Sequence, residues 1–343
     1  MNKILLTGAT GFIGSHVAEK FIAENVRISC MCRRNSNTSF LKNINTEIII
    51  GDINNFETLN GILSKFDFVI HCAGYVKDWG KYNFFYETNV NGLMNLLKAC
   101  AVNKIKDIII TGTNSVYGEE NNLNIKNEES PFNPEYKYFA GKIFPSAMNH
   151  YRISKTIGIK QAIDFAKQND LNLTVIEPVW VFGEREFSSG FFEYLNTVKK
   201  GALIMPGSKK NKFHIVYVKT LANAYFSAYQ KKLSGINRFL IGYDNAVNMD
   251  YMYNLFCKEL KVKKPYNAPK FLVYPIAFLL ELIYTFFQIK TPPLLTRSRI
   301  NMFYDNIEYS IVKAKQTLGF KNNCSLEDAI KNTVEWYKNK GFL

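Results

Sequence analysis

Short apolar runs recur through the first half of the chain. They are Ile4–Leu6, Ile28–Met31, Ile48–Ile50, Phe68–Ile70, Ile108–Ile110 and Leu173–Ile176, each bounded by Gly, Asp, Asn or Thr. Runs that are continuous rather than alternating predict strands buried on both faces of a parallel sheet. Helical patterns lie between them. Val17, Phe21 and Ile22 share one face of 14–24, and Val90, Leu93, Leu96 and Leu97 share one face of 90–100. This alternation predicts an α/β fold with a doubly wound parallel sheet. The expected division is a dinucleotide-binding domain over 1–177, to which part of 213–245 returns. A smaller, mostly helical substrate-binding part covers 178–212 and 246–343.

The first strand-to-helix junction reads LLTGATGFIGSH, with Gly8, Gly11 and Gly14 spaced G-x-x-G-x-x-G around Thr10, Phe12 and Ile13. A sharp turn, a close approach of backbone to a pyrophosphate and tight helix–strand packing each favour a residue without Cβ. The N–H groups of the following helix would face the phosphates. At the end of the second strand, an acid for an NAD ribose is missing. Arg33 and Arg34 stand there instead. Guanidinium groups bind a 2′-phosphate bidentately, so NADP(H) is favoured over NAD(H). Asp52, with Ile53 beside it, follows the third strand and is placed to touch the adenine.

In NHYRISKTIG, Tyr151 and Lys155 are four residues apart and share a face of a helix. An ammonium on that face can acidify a phenol. Taken alone, the pair is equally an exposed helical accident.

The bulk numbers narrow the partners. The net charge is +14, but the lysines are dispersed and no nucleic-acid motif accompanies them, so nucleic acid is not an expected partner. The six cysteines are scattered, with no C-x-x-C pair, and no metal site is expected. No secretory signal follows Met1, so reduced thiols and a cytoplasmic setting are expected. One segment is apolar nearly all round: FLVYPIAFLLELIYTFFQ, residues 271–288. It holds Pro275 and Glu281 and is shorter than the roughly 20 apolar residues a spanning helix needs. It could cover a substrate pocket, lie at a membrane interface or pack in a homodimer, and a homodimer is expected.

Five blocks together carry a resemblance. TGATGFIG (7–14), HCAGYVKDWGKYNFFYETNVNG (71–92), TGTNSVYGE (111–119), YRISK (151–155) and IEPVWVFG (176–183) make the chain similar to the extended short-chain dehydrogenases/reductases over nearly its whole length. KDWGKYNFFYETNVNG and the tail PPLLTRSRINMFYDNIEYSIVKAKQTLGF look most like the 3β-hydroxysteroid dehydrogenase, dihydroflavonol reductase and 2-alkyl-3-oxoalkanoate reductase branch. The resemblance implies a Rossmann-like fold and a ketone–alcohol oxidoreductase acting on a small, partly hydrophobic molecule. It implies Tyr151 as general acid/base, with Lys155 tuning the phenol and holding the nicotinamide ribose. It gives Thr113 the hydroxyl that orients the reacting oxygen, with Ser115 as the alternative. Asn89 would tie the fourth strand to the catalytic helix, and Ala73, Gly74, Pro178, Val179 and Val181 would line the cofactor. Asn114-Ser115 stands where dehydratases carry Asp-Glu, which argues against dehydration. A nucleotide-sugar epimerase, using the same Tyr, Lys and hydroxyl, stays open, and so does a non-catalytic nucleotide sensor.

Overall fold

The computed structural model describes residues 3–119, 121, 123–187 and 190–343. Its strands, in chain order, are β1 Ile4–Thr7, β2 Ile28–Cys32, β3 Glu47–Ile50, β4 Phe68–His71, β5 Asp107–Thr111, β6 Asn172–Pro178, β7 Trp180–Phe182, β8 Ile204–Pro206, β9 Ile215–Tyr217, β10 Ile236–Ile241 and β11 Tyr266–Ala268. Seven of them form one sheet in the order β10-β6-β5-β4-β1-β2-β3, parallel throughout. The order reverses between β1 and β4, which is where a doubly wound sheet opens a crevice beyond its strand ends.

Burial explains the strands. β1 and β4 are buried at every position, as continuous apolar runs require. β3 departs from that expectation. Ile48 and Ile49 are only half-buried and Ile50 is exposed, because β3 is an edge strand with one neighbour. β10 was not marked by an apolar run of its own, since Asn237 and Arg238 interrupt its first half. It nevertheless pairs with β6 along its whole length.

The helix Phe12–Ala23 follows β1 and packs through Phe21 on the helix Val218–Lys231, where Phe226 meets it edge to face at 5.3 Å. Each fully buried side chain of this size stabilises the fold by about 1.5–3 kcal/mol. Asn55 caps the helix Phe56–Leu63 through the Thr58 amide, as Asn248 caps Met249–Leu260 through that of Tyr251. One apolar core runs from β1 to Tyr337 in the helix Leu326–Asn339, so the N-terminal sheet and the C-terminal helices share an interior.

The helix Lys270–Phe286 sits over a small separate cluster of Ala268, Val273, Ala277 and Ile300. Glu281, the acid within its apolar run, is buried against fully buried Arg297 at 2.5 Å. Among the described residues, no helix is long and apolar enough to cross a membrane.

Candidate active site

β1, β4, β5 and β6 end side by side, and the candidate residues converge there. Gly8 leaves β1 with φ +73°, a conformation that disfavours a side chain. A Cβ on Gly8 would stand 2.4 Å from the Ala73 nitrogen beyond β4, and one on Gly14 would stand 2.2 Å from the Gly8 carbonyl. These two glycines let loop, strand and helix touch. Gly11 caps the helix Phe12–Ala23 with no side-chain hydrogen bond, and the first turn carries no acid. Thr10 and Gly11 are exposed there. An open, uncapped helix start reached through a glycine turn fits the pyrophosphate of a dinucleotide.

Arg33 and Arg34 lie in an exposed turn just past β2, and neither has an ion-pair partner among the described residues. Asp52 spends one carboxylate oxygen on the Asn54 amide at 2.9 Å, and Ile53 is buried beneath Gly92. Ala73 is half-buried and Gly74 exposed beyond β4, Pro178 and Val179 are buried at the end of β6, and Val181 is half-buried in β7.

Asn89 occupies a wide, π-type turn, Glu87–Gly92, ahead of the helix Leu93–Val102. Its amide accepts from the Tyr75 N–H at 2.8 Å and donates to the Ser154 hydroxyl at 3.1 Å. It therefore joins the loop after β4 to the helix Ala147–Gln168. Gly158 allows that contact, because a Cβ there would stand 2.3 Å from the Asn89 carbonyl oxygen.

Thr113 caps a single 3-10 turn, Asn114–Tyr117, accepting from the Ser115 amide. Its hydroxyl donates to the Ser115 hydroxyl at 3.2 Å and lies near enough to the Tyr151 phenol to favour the phenolate. Tyr151 and Lys155 are both buried on the helix Ala147–Gln168. The ammonium of Lys155 donates to the Thr111 carbonyl at 2.7 Å.

Electrostatics here differ from the simple picture of a phenol acidified by its lysine. Burial pushes the Tyr151 phenol up to about 12, with Thr113 opposing and Glu119 assisting. Burial also brings Lys155 down to about 8, against the pull of Cys72 and Glu177. In this state the phenol is protonated and the ammonium is held by a backbone carbonyl.

Two buried ion pairs flank the site. Arg152 donates to Glu119 through Nε at 2.8 Å and through a terminal nitrogen, and to the Tyr138 hydroxyl at 2.6 Å. Glu119 also accepts from the Ser115 hydroxyl at 2.9 Å, so a chain of hydrogen bonds runs Thr113–Ser115–Glu119–Arg152, with Tyr151 beside Thr113 at one end. At the end of β6, Glu177 is fully buried between Tyr117 and Arg238, and burial pushes its carboxyl up to about 7. Sequence reasoning missed all of these. An acid inside an apolar strand (Glu177) and a cation beside the tyrosine (Arg152) were the readable signals.

All four histidines are buried or half-buried with pKa values lowered, chiefly by burial, and His71 comes down to about 3. His71 hydrogen-bonds Thr7 at 2.7 Å. A histidine held below its unfolded value of 6.5 binds its proton more readily in the unfolded chain, so stability should fall as pH drops. The rings should contribute a loss of stability from pH 6.5 downwards, for His71 continuing toward about 3, while Glu177, raised to about 7, contributes the opposite sign between 7 and 4.5. NMR titration of the imidazoles checks this, and rings that protonate near pH 6.5 in the folded protein would contradict their neutral burial.

Near Trp180, a pocket of about 410 Å³ opens among Phe191, Tyr194, Phe213, Phe256 and Met302, with Arg299 at its side. Tyr151, Thr113 and Lys155 do not line it. Among the described residues, no cluster of His, Cys, Asp and Glu could hold a metal ion.

The family model described as NAD dependent epimerase/dehydratase family matches residues 4–242. The 2-alkyl-3-oxoalkanoate reductase of Shewanella oneidensis is 24% identical over 95% of this chain and 84% of its own length. The decarboxylating sterol-4-alpha-carboxylate 3-dehydrogenase of Mus musculus is 22% identical over 97% of this chain and 90% of its own. The crystal structure of UDP-glucose 4-epimerase from Thermotoga maritima, with UDP-glucose, superposes with a TM-score of 0.77 at 22% identity, covering 98% of this chain and 99% of that one. With a family model matched across most of its length and a seven-stranded parallel sheet of the kind described, the chain belongs to the NAD dependent epimerase/dehydratase family and is an NAD(P)-dependent oxidoreductase of the extended short-chain dehydrogenase/reductase type.

Proposed function

We propose that the protein interconverts a ketone and a secondary alcohol on a partly hydrophobic substrate, with NADP(H) as the favoured cofactor. The observation that carries this reading is the burial of Tyr151, Thr113 and Lys155 at the end of β5, with Thr113 acting on the phenol and the Lys155 ammonium anchored on the Thr111 carbonyl.

In this reading Gly8, Thr10, Gly11, Phe12, Ile13 and Gly14 hold the pyrophosphate. Arg33 and Arg34 take the 2′-phosphate, and Asp52 and Ile53 border the adenine. Ala73, Gly74, Pro178, Val179, Val181 and Lys155 surround the nicotinamide end. When bound, the dinucleotide supplies or accepts the hydride at the substrate carbon. The Thr113 hydroxyl orients the substrate oxygen. Tyr151 gives that oxygen its proton in reduction and takes it back in oxidation. Lys155 carries positive charge to this end of the site and favours the phenolate when the phenol has given up its proton. Asn89 holds the helix that bears both residues.

The substrate-binding part is taken to be 178–212 and 246–343. The pocket beside Trp180 supports an apolar substrate through its aromatic and methionine walls, beside which Arg299, the Trp180 indole N–H and the Tyr194 hydroxyl offer polar groups. The class named for the Shewanella oneidensis relative, 2-alkyl-3-oxoalkanoates, is the first to test. The test is loss of NADPH absorbance with such ketones, set against UDP-sugars. Steady consumption with the ketone supports the reading. Sugar interconversion without net cofactor consumption would replace it with epimerisation, and binding without turnover of either would replace it with sensing.

Arg33→Ala should weaken NADPH binding roughly ten- to hundredfold, the loss of one charge-assisted hydrogen bond worth about 1.5–3 kcal/mol. NADH binding should change little. Fluorescence titration of the two cofactors checks this, and equal weakening of both would remove the argument for NADP(H).

A further inference from the structure

Among the described residues, no other element covers the outer face of the helix Lys270–Phe286. Phe271 is 74% exposed, Leu279 56% and Phe286 81%, with Ile276 and Ile283 on the same stripe. The stripe continues onto the turn before the helix Ala147–Gln168. Phe139 and Phe144 both pack edge to face on Phe278, and Ile143 projects from that turn 91% exposed. A patch of this size on a soluble surface marks an interaction site.

Two lysines stand at its rim. Lys142 stands next to Ile143 and Lys290 just past the helix, both exposed and neither with an acidic partner among the described residues. The one acid within the helix, Glu281, faces inward and is neutralised by Arg297. That same arginine donates to the Phe139 and Phe144 carbonyls at 2.5 and 2.9 Å, so it fixes the turn to the helix as one rigid surface. The far end is tied down too. The Trp79 indole donates to the Ile289 carbonyl at 2.9 Å and meets Tyr284 edge to face. Trp79 belongs to the loop that leaves β4 past Ala73 and Gly74.

We infer that this face docks peripherally on an anionic membrane surface. Apolar side chains on a fixed helix, rimmed by uncompensated lysines, suit the boundary between acyl chains and negative headgroups. A second copy of this chain suits it less, since two such faces in contact would bring the cationic rims together, in a chain already carrying +14. The docked helix would stand directly beside the loops of the candidate site, where a substrate drawn from the lipid phase would enter. That last point rests on the proposed function; the docking itself does not.

The experiment is co-sedimentation of the full chain with vesicles of phosphatidylcholine alone and of phosphatidylcholine with phosphatidylserine. Sedimentation velocity without lipid runs in parallel. The wild type should bind the mixed vesicles and not the neutral ones, more weakly as salt rises. Phe271→Glu/Phe286→Glu should lower partitioning tenfold or more, and Lys142→Gln/Lys290→Gln should lower it while leaving thermal unfolding unchanged. Tyr151→Phe should bind like the wild type, which separates this inference from the enzymatic one. No binding to either vesicle, or equal binding to both, overturns it. A dimer in solution that dissolves in the Phe271→Glu/Phe286→Glu variant, without vesicle binding, assigns the face to a second copy instead.

Discussion

Tyr151→Phe should cut kcat by about 10²–10⁴-fold, the range a positioned proton donor contributes. The substitution removes one oxygen and keeps the ring, so the buried helix position is still filled. Cofactor binding should stay close to wild type, because in the proposed arrangement the glycine turn, the arginines past β2 and Lys155 carry it. The direction of the effect follows from the environment. Burial holds the phenol near 12, so at neutral pH it is the protonated form that waits beside Thr113. A protonated phenol can donate to a developing alkoxide, which fits ketone reduction. Stopped-flow reduction with a hydrophobic ketone, run beside a fluorescence titration of NADPH, checks both halves. Turnover within a few-fold of wild type would show that the proton comes from elsewhere, and lost cofactor binding would show that Tyr151 is structural.

The sheet is largely readable from the chain because β1, β4 and β5 lie between neighbours on both sides and must be apolar at almost every position. Where that condition relaxes, the pattern misleads. The three isoleucines of β3 look like those of β5, yet β3 is an edge, and which strand ends at an edge depends on the crossovers rather than on the strand. β10 hides for the opposite reason. Arg238 sits inside it because Glu177 on β6 receives it, 61 residues away. The site divides in the same way. Tyr151 and Lys155 are found by local helical spacing, and Gly8 and Gly14 by a local turn. Helical spacing fixes which way Lys155 points, but not that its ammonium donates to the Thr111 carbonyl. Glu119 and Arg152 are 33 residues apart, and although Arg152 stands next to the tyrosine, nothing local names its partner.

That pair gives the second large expectation. Arg152→Met should destabilise the protein by about 3–5 kcal/mol, the usual cost of leaving a buried charge without its partner. Burial works against the guanidinium's charge, but Glu119 and Tyr138 outweigh it and hold its pKa above the ordinary value. Without Arg152, the Glu119 carboxylate keeps, among the described residues, the Ser115 and Asn114 donors, at 2.9 and 3.4 Å. Glu119→Gln/Arg152→Met should recover a large part of the loss, because an amide can still accept from Ser115 and no longer needs a cation. Urea unfolding of the two single variants and the double variant closes the cycle. Simple additivity would mean that the two side chains stabilise the fold independently, against the geometry. The cycle also reaches the chemistry. Ser115 is held by Glu119 on one side and touches Thr113 on the other, so loosening the ion pair loosens the hydroxyl that lies beside Tyr151. Arg152→Met should therefore lower kcat even where the protein remains folded, and the double variant should restore rate and stability together. Recovery of stability without recovery of rate would place the catalytic role in the carboxylate's charge rather than in its grip on Ser115.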